Sequence, residues 1–109
     1  MSERNFWLEI KRKVGHLGHW SRIESHSTSE GFPDTSLTAA ELEVKIELKY
    51  SATAEAPEIR PSQIRWFTKN IKHHGKPLLF AKVRFQTANY YLLFNGQTVI
   101  NGLYKLKKT

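Results

Sequence analysis

From Leu42 to Tyr50 the chain alternates without a break, with Leu42, Val44, Ile46 and Leu48 set against Glu43, Lys45, Glu47 and Lys49. A period of two over nine residues predicts a strand with one apolar face and one charged face. Upstream, Trp7, Ile10, Val14 and Leu17 recur at intervals of three, four and three. That spacing predicts a helix from about Glu3 to Val14, with Lys11, Arg12 and Lys13 off the stripe and Gly15 and Gly18 ending it. Residues 20–25 give no clear period, and 25–31 read as a polar loop. Thr35 to Thr38 reads as a strand antiparallel to Leu42–Tyr50, joined through Ala39-Ala40-Glu41. Pro57 and Pro61 discourage a helix through the linker at 51–61. A second helix is expected from about Ser62 to His73, with Ile64, Phe67 and Ile71 on one face and Gly75 as its stop. Leu78 to Phe85 reads as an apolar strand. Tyr90–Phe94 and Gln97–Ile100 read as strands flanking an Asn95-Gly96 hairpin. The order helix, strands, helix, strands predicts an α/β fold, a mixed central sheet flanked by helices.

Composition narrows the partner more than the fold. The 109 residues, 39% of them apolar, suit one domain spanning 1–109 with a modest core and a basic tail at about 104–109. No apolar run is long enough to span a membrane, the first residues do not form a secretory signal, and cysteine is absent. These features lead us to expect a cytoplasmic protein without disulfides or thiolate metal sites. The net charge of +7 favours a polyanionic partner, nucleic acid being the commonest.

The charged face of the 42–50 strand gains meaning from what precedes it. Asp34, the chain's one aspartate, closes a Gly31-Phe32-Pro33-Asp34 turn thirteen residues before Glu47. Glu47 and Lys49 share a strand face and can converge with Asp34 on one point. Two carboxylates sharing a divalent ion, with an ammonium beside them, suit the activation of water against a phosphodiester. A bare Glu-x-Lys carries little information, since Glu43-Val44-Lys45 is a second copy about 13 Å away along the strand. Glu47-Leu48-Lys49 is preferred because Ile46 and Leu48 flank it with buried positions and the linker to the second helix follows soon after. Context adds to the motif itself: Arg22-Ile23-Glu24 lies upstream of the turn, and Ile59-Arg60-Pro61-Ser62-Gln63 opens the helix that continues into Ile64-Arg65-Trp66. The His16/His19 and His73-His74 pairs lack a carboxylate partner at metal-binding spacing.

Taken as an ordered set from about Arg22 to Val83, these motifs resemble the PD-(D/E)XK nuclease superfamily, of restriction-endonuclease-like fold. The likeness is greatest to small phage nucleases of the virus-type replication-repair kind and to Holliday junction resolvase-like nucleases. The resemblance leaves the N-terminal helix and the basic tail outside it. It implies that Asp34 and Glu47 ligate magnesium, for which manganese would substitute, with the Leu48 backbone carbonyl as a third ligand. It further implies that Lys49 orients water or offsets phosphate charge, that Glu24 is an additional carboxylate of the metal site, and that Gln63 points from its helix toward the site. An N-terminal capping role for Gln63 fits the sequence equally well. Arg22, Arg60, Gln63, Lys69, Lys72 and Lys76 are the expected DNA contacts.

The expected activity is therefore magnesium-dependent hydrolysis of DNA, selective for branched structures such as a Holliday junction because so small a chain has little room for a sequence-reading domain. A non-catalytic DNA-binding module of the same fold and an RNA nuclease are the alternatives. A homodimer is expected because resolving a junction takes two symmetric nicks. Phe6, Trp7, Tyr90, Tyr91 and Phe94 are its candidate contact residues. A phage origin would accord with the resemblance.

Overall fold

A computed structural model describes residues 3–23, 31–53 and 58–102. Helix α1 (Glu3–Val14) runs through a 3-10 turn (Gly15–Leu17) into strand β1 (His19–Arg22). Strands β2 (Thr35–Ala39) and β3 (Leu42–Ser51), helix α2 (Pro61–Lys72), strands β4 (Leu78–Phe85) and β5 (Ala88–Asn95), and a short helix α3 (Gly96–Ile100) follow. The five strands form one sheet in the order β1-β2-β3-β4-β5. β3 and β4 pair in parallel, and the other neighbours pair antiparallel. A parallel pair needs a crossover, and α2 supplies it. The mixed α/β sheet expected from the sequence is the one observed.

Helices cover both faces of the sheet. α1 lays Phe6 and Ile10 on Ile46 and Leu48, with Trp7, Trp20, Leu78 and Phe80 around them. α2 and α3 lay Phe67 and Val99 on Leu79 from the other side. β3 obeys the alternation of its sequence: Ile46 and Leu48 enter the α1 face, so Glu47 and Lys49 emerge on the α2 face. β4 is covered on both sides, and Leu79, Ala81 and Val83 are buried on one of them.

Lys82 breaks that apolar run and is 1% exposed. A buried ammonium needs a counter-charge, and Glu9 of α1 provides it, accepting from Lys82 Nζ at 2.5 Å. The other Glu9 oxygen accepts from Tyr91 Oη at 2.5 Å and Lys13 Nζ at 2.9 Å. Burial pushes the Glu9 carboxyl up, but hydrogen bonds from Lys82, Tyr91 and Lys13 outweigh it and hold it down at about 2.

Several sequence expectations are corrected. Gln97–Ile100 is helix α3, not a strand, and Asn95 is its N-cap, accepting from the Thr98 N–H at 2.8 Å. The β4–β5 hairpin turns instead at Gln86-Thr87, between the paired Phe85 and Ala88, with Gln86 at φ 58°. Leu42 begins β3 in the open and is exposed, and Leu17 is exposed because the α-helix ends at Val14 and the 3-10 turn shifts the phase of the stripe. Phe6, not Leu17, centres the buried face of α1. Phe6 is therefore unavailable as a contact residue for a partner, and Trp7 packs edge-on against Trp20. α2 turns off through His74, at φ 69°, ahead of Gly75. The 104–109 tail lies outside the described residues.

The buried ion pair generates a test. Glu9→Gln removes the carboxylate charge that faces Lys82 and should cost about 3–5 kcal/mol of stability in urea unfolding at pH 7. Because the Glu9 carboxyl is held below its unfolded value near 4.5, its contribution is present above that pH and lost as pH falls toward 2. Stability of the Gln variant should therefore fall less steeply than that of the wild type over that acid range.

Candidate metal centre

The Gly31-Phe32-Pro33-Asp34 turn is packed onto the start of α2. Gly31 has φ 83°, and a Cβ there would sit 2.1 Å from the Ser62 carbonyl oxygen, so both conformation and space require glycine. Pro33 is fully buried, and the Phe32 ring stands edge-on to Trp66 with centroids 5.1 Å apart. The Ile23 N–H donates to the Asp34 carbonyl at 2.7 Å, tying the end of β1 to the same point. Asp34 thereby sits one residue ahead of β2 and against β3, where the Leu48 N–H donates to its Oδ1 at 3.0 Å. Leu48 thus meets Asp34 through its N–H.

Glu47 emerges from β3 beside it, 4% exposed. Its Oε2 accepts from Gln63 Nε2 at 3.0 Å and lies 3.6 Å from Lys49 Nζ. The oxygen of the same Gln63 amide accepts from the Arg60 N–H at 2.9 Å, closing the first turn of α2 behind Pro61. The capping and site-facing roles that the sequence left open are performed by one side chain. Lys49 is mostly buried beside Glu47, while Glu43 and Lys45 pair with each other farther along the strand.

The third carboxylate is Glu3, the first residue of α1. Oxygen atoms of Glu3, Asp34 and Glu47 all lie within 4.8 Å of one another. Sequence reading missed it and set the N-terminal helix outside the motif set. A signal was available: Glu3 precedes Phe6 and Trp7 by three and four residues, so it lies on the helix stripe that faces the protein, with no base at the next turn to neutralise it. Glu24, the carboxylate expected in this role, lies outside the described residues.

Three acids around one point face Lys49, the one nearby cation among the described residues. Burial, then the charge of Glu47, then contact with Glu3 push the Asp34 carboxyl far above the usual carboxylate range, against the opposing Leu48 N–H bond. Burial also pushes Glu47 up, with Glu3 adding to it and Lys49 opposing. The unbalanced charge and all-oxygen donor set fit a hard divalent cation such as magnesium.

The expected DNA-contact residues scatter more widely. Gln63 touches the cluster, and Arg60 is exposed at the N-cap of α2. Lys69 and Lys72 line a shallow exposed groove along α2 with Ile64, Arg65, Thr68 and His73. Lys76 is exposed beyond the helix end. Arg22 lies over the Trp7 ring at 5.7 Å, which draws it to the α1 face of the sheet.

The fold is similar to that of a Holliday junction resolvase. The solved structure of Hjc, a Holliday junction resolvase from the archaeal hyperthermophile Archaeoglobus fulgidus, matches at a TM-score of 0.60 and 13% identity, over 87% of this chain and 78% of that one. The similarity to Hjc lies in the fold, at an identity too low to carry activity with it. Scans against protein-family models and curated proteins find no match.

The electrostatics generate a second test. Carboxyls raised by folding weigh against the folded state as pH rises from their unfolded values through their folded ones. Asp34→Asn removes one like charge and should raise the melting temperature of metal-free protein at pH 8, by several degrees for a gain of about 1 kcal/mol. Excess magnesium should stabilise the wild type more than the variant, as read by scanning calorimetry.

Proposed function

We propose that this chain is a single-domain, magnesium-dependent DNA endonuclease of the PD-(D/E)XK superfamily, with manganese as a substitute ion. The observation that carries the reading is the partly buried Glu3/Asp34/Glu47 cluster with Lys49 beside it, on a resolvase-like sheet. The net charge of +7 adds a general attraction to polyanions. Branched DNA, the Holliday junction first, is the proposed substrate, and a homodimer supplying two symmetric nicks is the proposed assembly. The absence of cysteine accords with an intracellular site of action. Among the described residues no helix is long and apolar enough to cross a membrane.

Glu3, Asp34 and Glu47 would hold the ion through their carboxylate oxygens. A bound magnesium ion supplies Lewis acidity, lowering the pKa of water and offsetting phosphate charge. The protein's own contribution is preorganisation. The Leu48 N–H fixes Asp34, and Gln63 fixes Glu47, so neither has to be ordered when substrate arrives. Lys49 is mostly shielded from water and held toward Glu47, where its ammonium can orient a water molecule or neutralise a phosphate oxygen. Gln63 is a positioning residue in this scheme, since it acts through Glu47.

The test is cleavage of a panel of four-way junction, flap, duplex, single-stranded DNA and RNA, with and without magnesium. Branched DNA should be cut only with the ion, and RNA cut in preference to DNA would reassign the substrate. Asp34→Asn, Glu47→Gln and Lys49→Ala should each lower kcat by at least about 100-fold, comparable to removing a key electrostatic group. Binding of junction DNA should persist. Glu43→Gln, on the second Glu-x-Lys copy, should leave the rate within about two-fold, since that carboxylate is exposed and paired with Lys45. A fully active Glu47→Gln enzyme would overturn the assignment.

A further inference from the structure

From Phe85 to Tyr104 the chain contains no Asp, Glu, Lys, Arg or His, although a quarter of all its residues are charged. That stretch includes the whole of β5 and α3. β5 is an edge strand, and among the described residues no strand pairs with its outer side. It is eight residues long, contains no proline and exposes Tyr90 (50%), Tyr91 (43%) and Leu93 (62%). Proteins normally guard such an edge with charge, proline or brevity. The other edge is guarded: β1 has four residues, of which His19 and Arg22 bracket the strand.

We propose that the β5 edge joins two copies of this chain, antiparallel across a two-fold axis, into one continuous sheet. This deepens the two-subunit part of the function proposed above and does not depend on its chemistry. Charge selects the occupant. On a chain of net charge +7, the outer faces of α1 and α2 carry Arg4, Lys11, Arg12, Arg65, Lys69 and Lys72, and would set like charge against like in a symmetric pair. β5 meets its own copy without any such penalty.

Geometry restricts the register. Opposed residues in antiparallel strands point to the same face, so odd-numbered residues of β5 must oppose odd ones. Tyr91 and Leu93 are paired with Lys82 and Phe80 of β4 and share the α1 face, while Tyr90, Leu92 and Phe94 share the α2 face. A two-fold axis at Leu92 sets Leu93 against Tyr91 of the second copy and Phe94 against Tyr90. All three exposed apolar side chains then gain aromatic–aliphatic or aromatic–aromatic cross-strand partners. An axis at Tyr91 would instead oppose Leu93 to Asn89. Leu92 is level with Ala81 and, through it, with Lys49. The axis is normal to the sheet, so both carboxylate clusters open on the same side. Glu47 is level with Phe94, two residues from the axis, so the two Glu47 positions lie about 24 Å apart across five inter-strand steps and about 13 Å apart along the strands, or about 27 Å in all.

Light scattering at tens of micromolar protein, without DNA, should give twice the chain mass, and Leu93→Lys should halve it while leaving the far-ultraviolet circular dichroism unchanged. In a chain without cysteine, Leu92→Cys should form an intersubunit disulfide under mild oxidation, whereas Leu42→Cys at the exposed start of β3 should not. A wild-type monomer, a Leu93→Lys dimer, or a dimer in which Leu92→Cys fails to cross-link would overturn the proposal. The outcomes separate from those of the nuclease reading. A wild type that dimerises without cutting DNA keeps this interface and removes the enzyme, and a nicking monomer does the reverse.

Discussion

Leu48 and Glu47 are neighbours on β3 and point to opposite sides of the sheet, and both are buried. One is packed under α1, where Phe6 and Ile10 close over it. The other is held under the start of α2 by a hydrogen bond from Gln63. The pleat makes these placements inseparable: a slip of one residue would bring Glu47 into the aliphatic layer under α1 and set Leu48 among the polar groups under α2. Packing on the α1 face thus fixes the register that aims the carboxylate, and the parallel pairing of β3 with β4 holds the strand against sliding.

The molecule tolerates two buried acidic centres by opposite means. At Glu9 the charge is matched by Lys82, Lys13 and the Tyr91 hydroxyl, and the carboxyl is held ionised. At Asp34 burial and the charge of Glu47 push the carboxyl up, and at Glu47 burial outweighs the opposing Lys49, so both carboxyls are pushed toward protonation. The first is an arrangement complete in itself. The second is short of positive charge among the described residues, and that imbalance is the observation on which the proposed metal site rests.

The sheet and its two main helices were legible because their periods are long and unbroken, as at Leu42–Tyr50 and Ser62–Ile71. Asp34, Glu47 and Lys49 were legible together because the strand period fixes the facing of the last two and the turn brings the first beside them, whereas the direction of Gln63 followed only from the family resemblance. Glu3 was not. Its place depends on where the N-terminus of α1 ends relative to the β2–β3 end of the sheet, and that is a tertiary fact. Asn95-Gly96 misled for a local reason, since the amide side chain that favours a hairpin also caps a helix, and the Thr98 N–H decided between them. Leu17 misled because a single 3-10 turn rotates the residues that follow it out of phase.

Gln63 has one further consequence, through fluctuation. Its amide carbonyl closes the first turn of α2 while its amino group holds Glu47, so neither bond can be kept when that turn frays. Helix ends open far more often than helix middles, with free energies well below that of global unfolding. The population of molecules with an ordered carboxylate is therefore set by a local helix–coil equilibrium at Arg60-Pro61-Ser62. Any ligand that draws on Glu47 in its held position stabilises that turn by the same free energy, and the coupling runs equally in both directions. The stiffness contributed by Pro61 at the first helical position becomes, in this light, a setting on how often the centre is assembled.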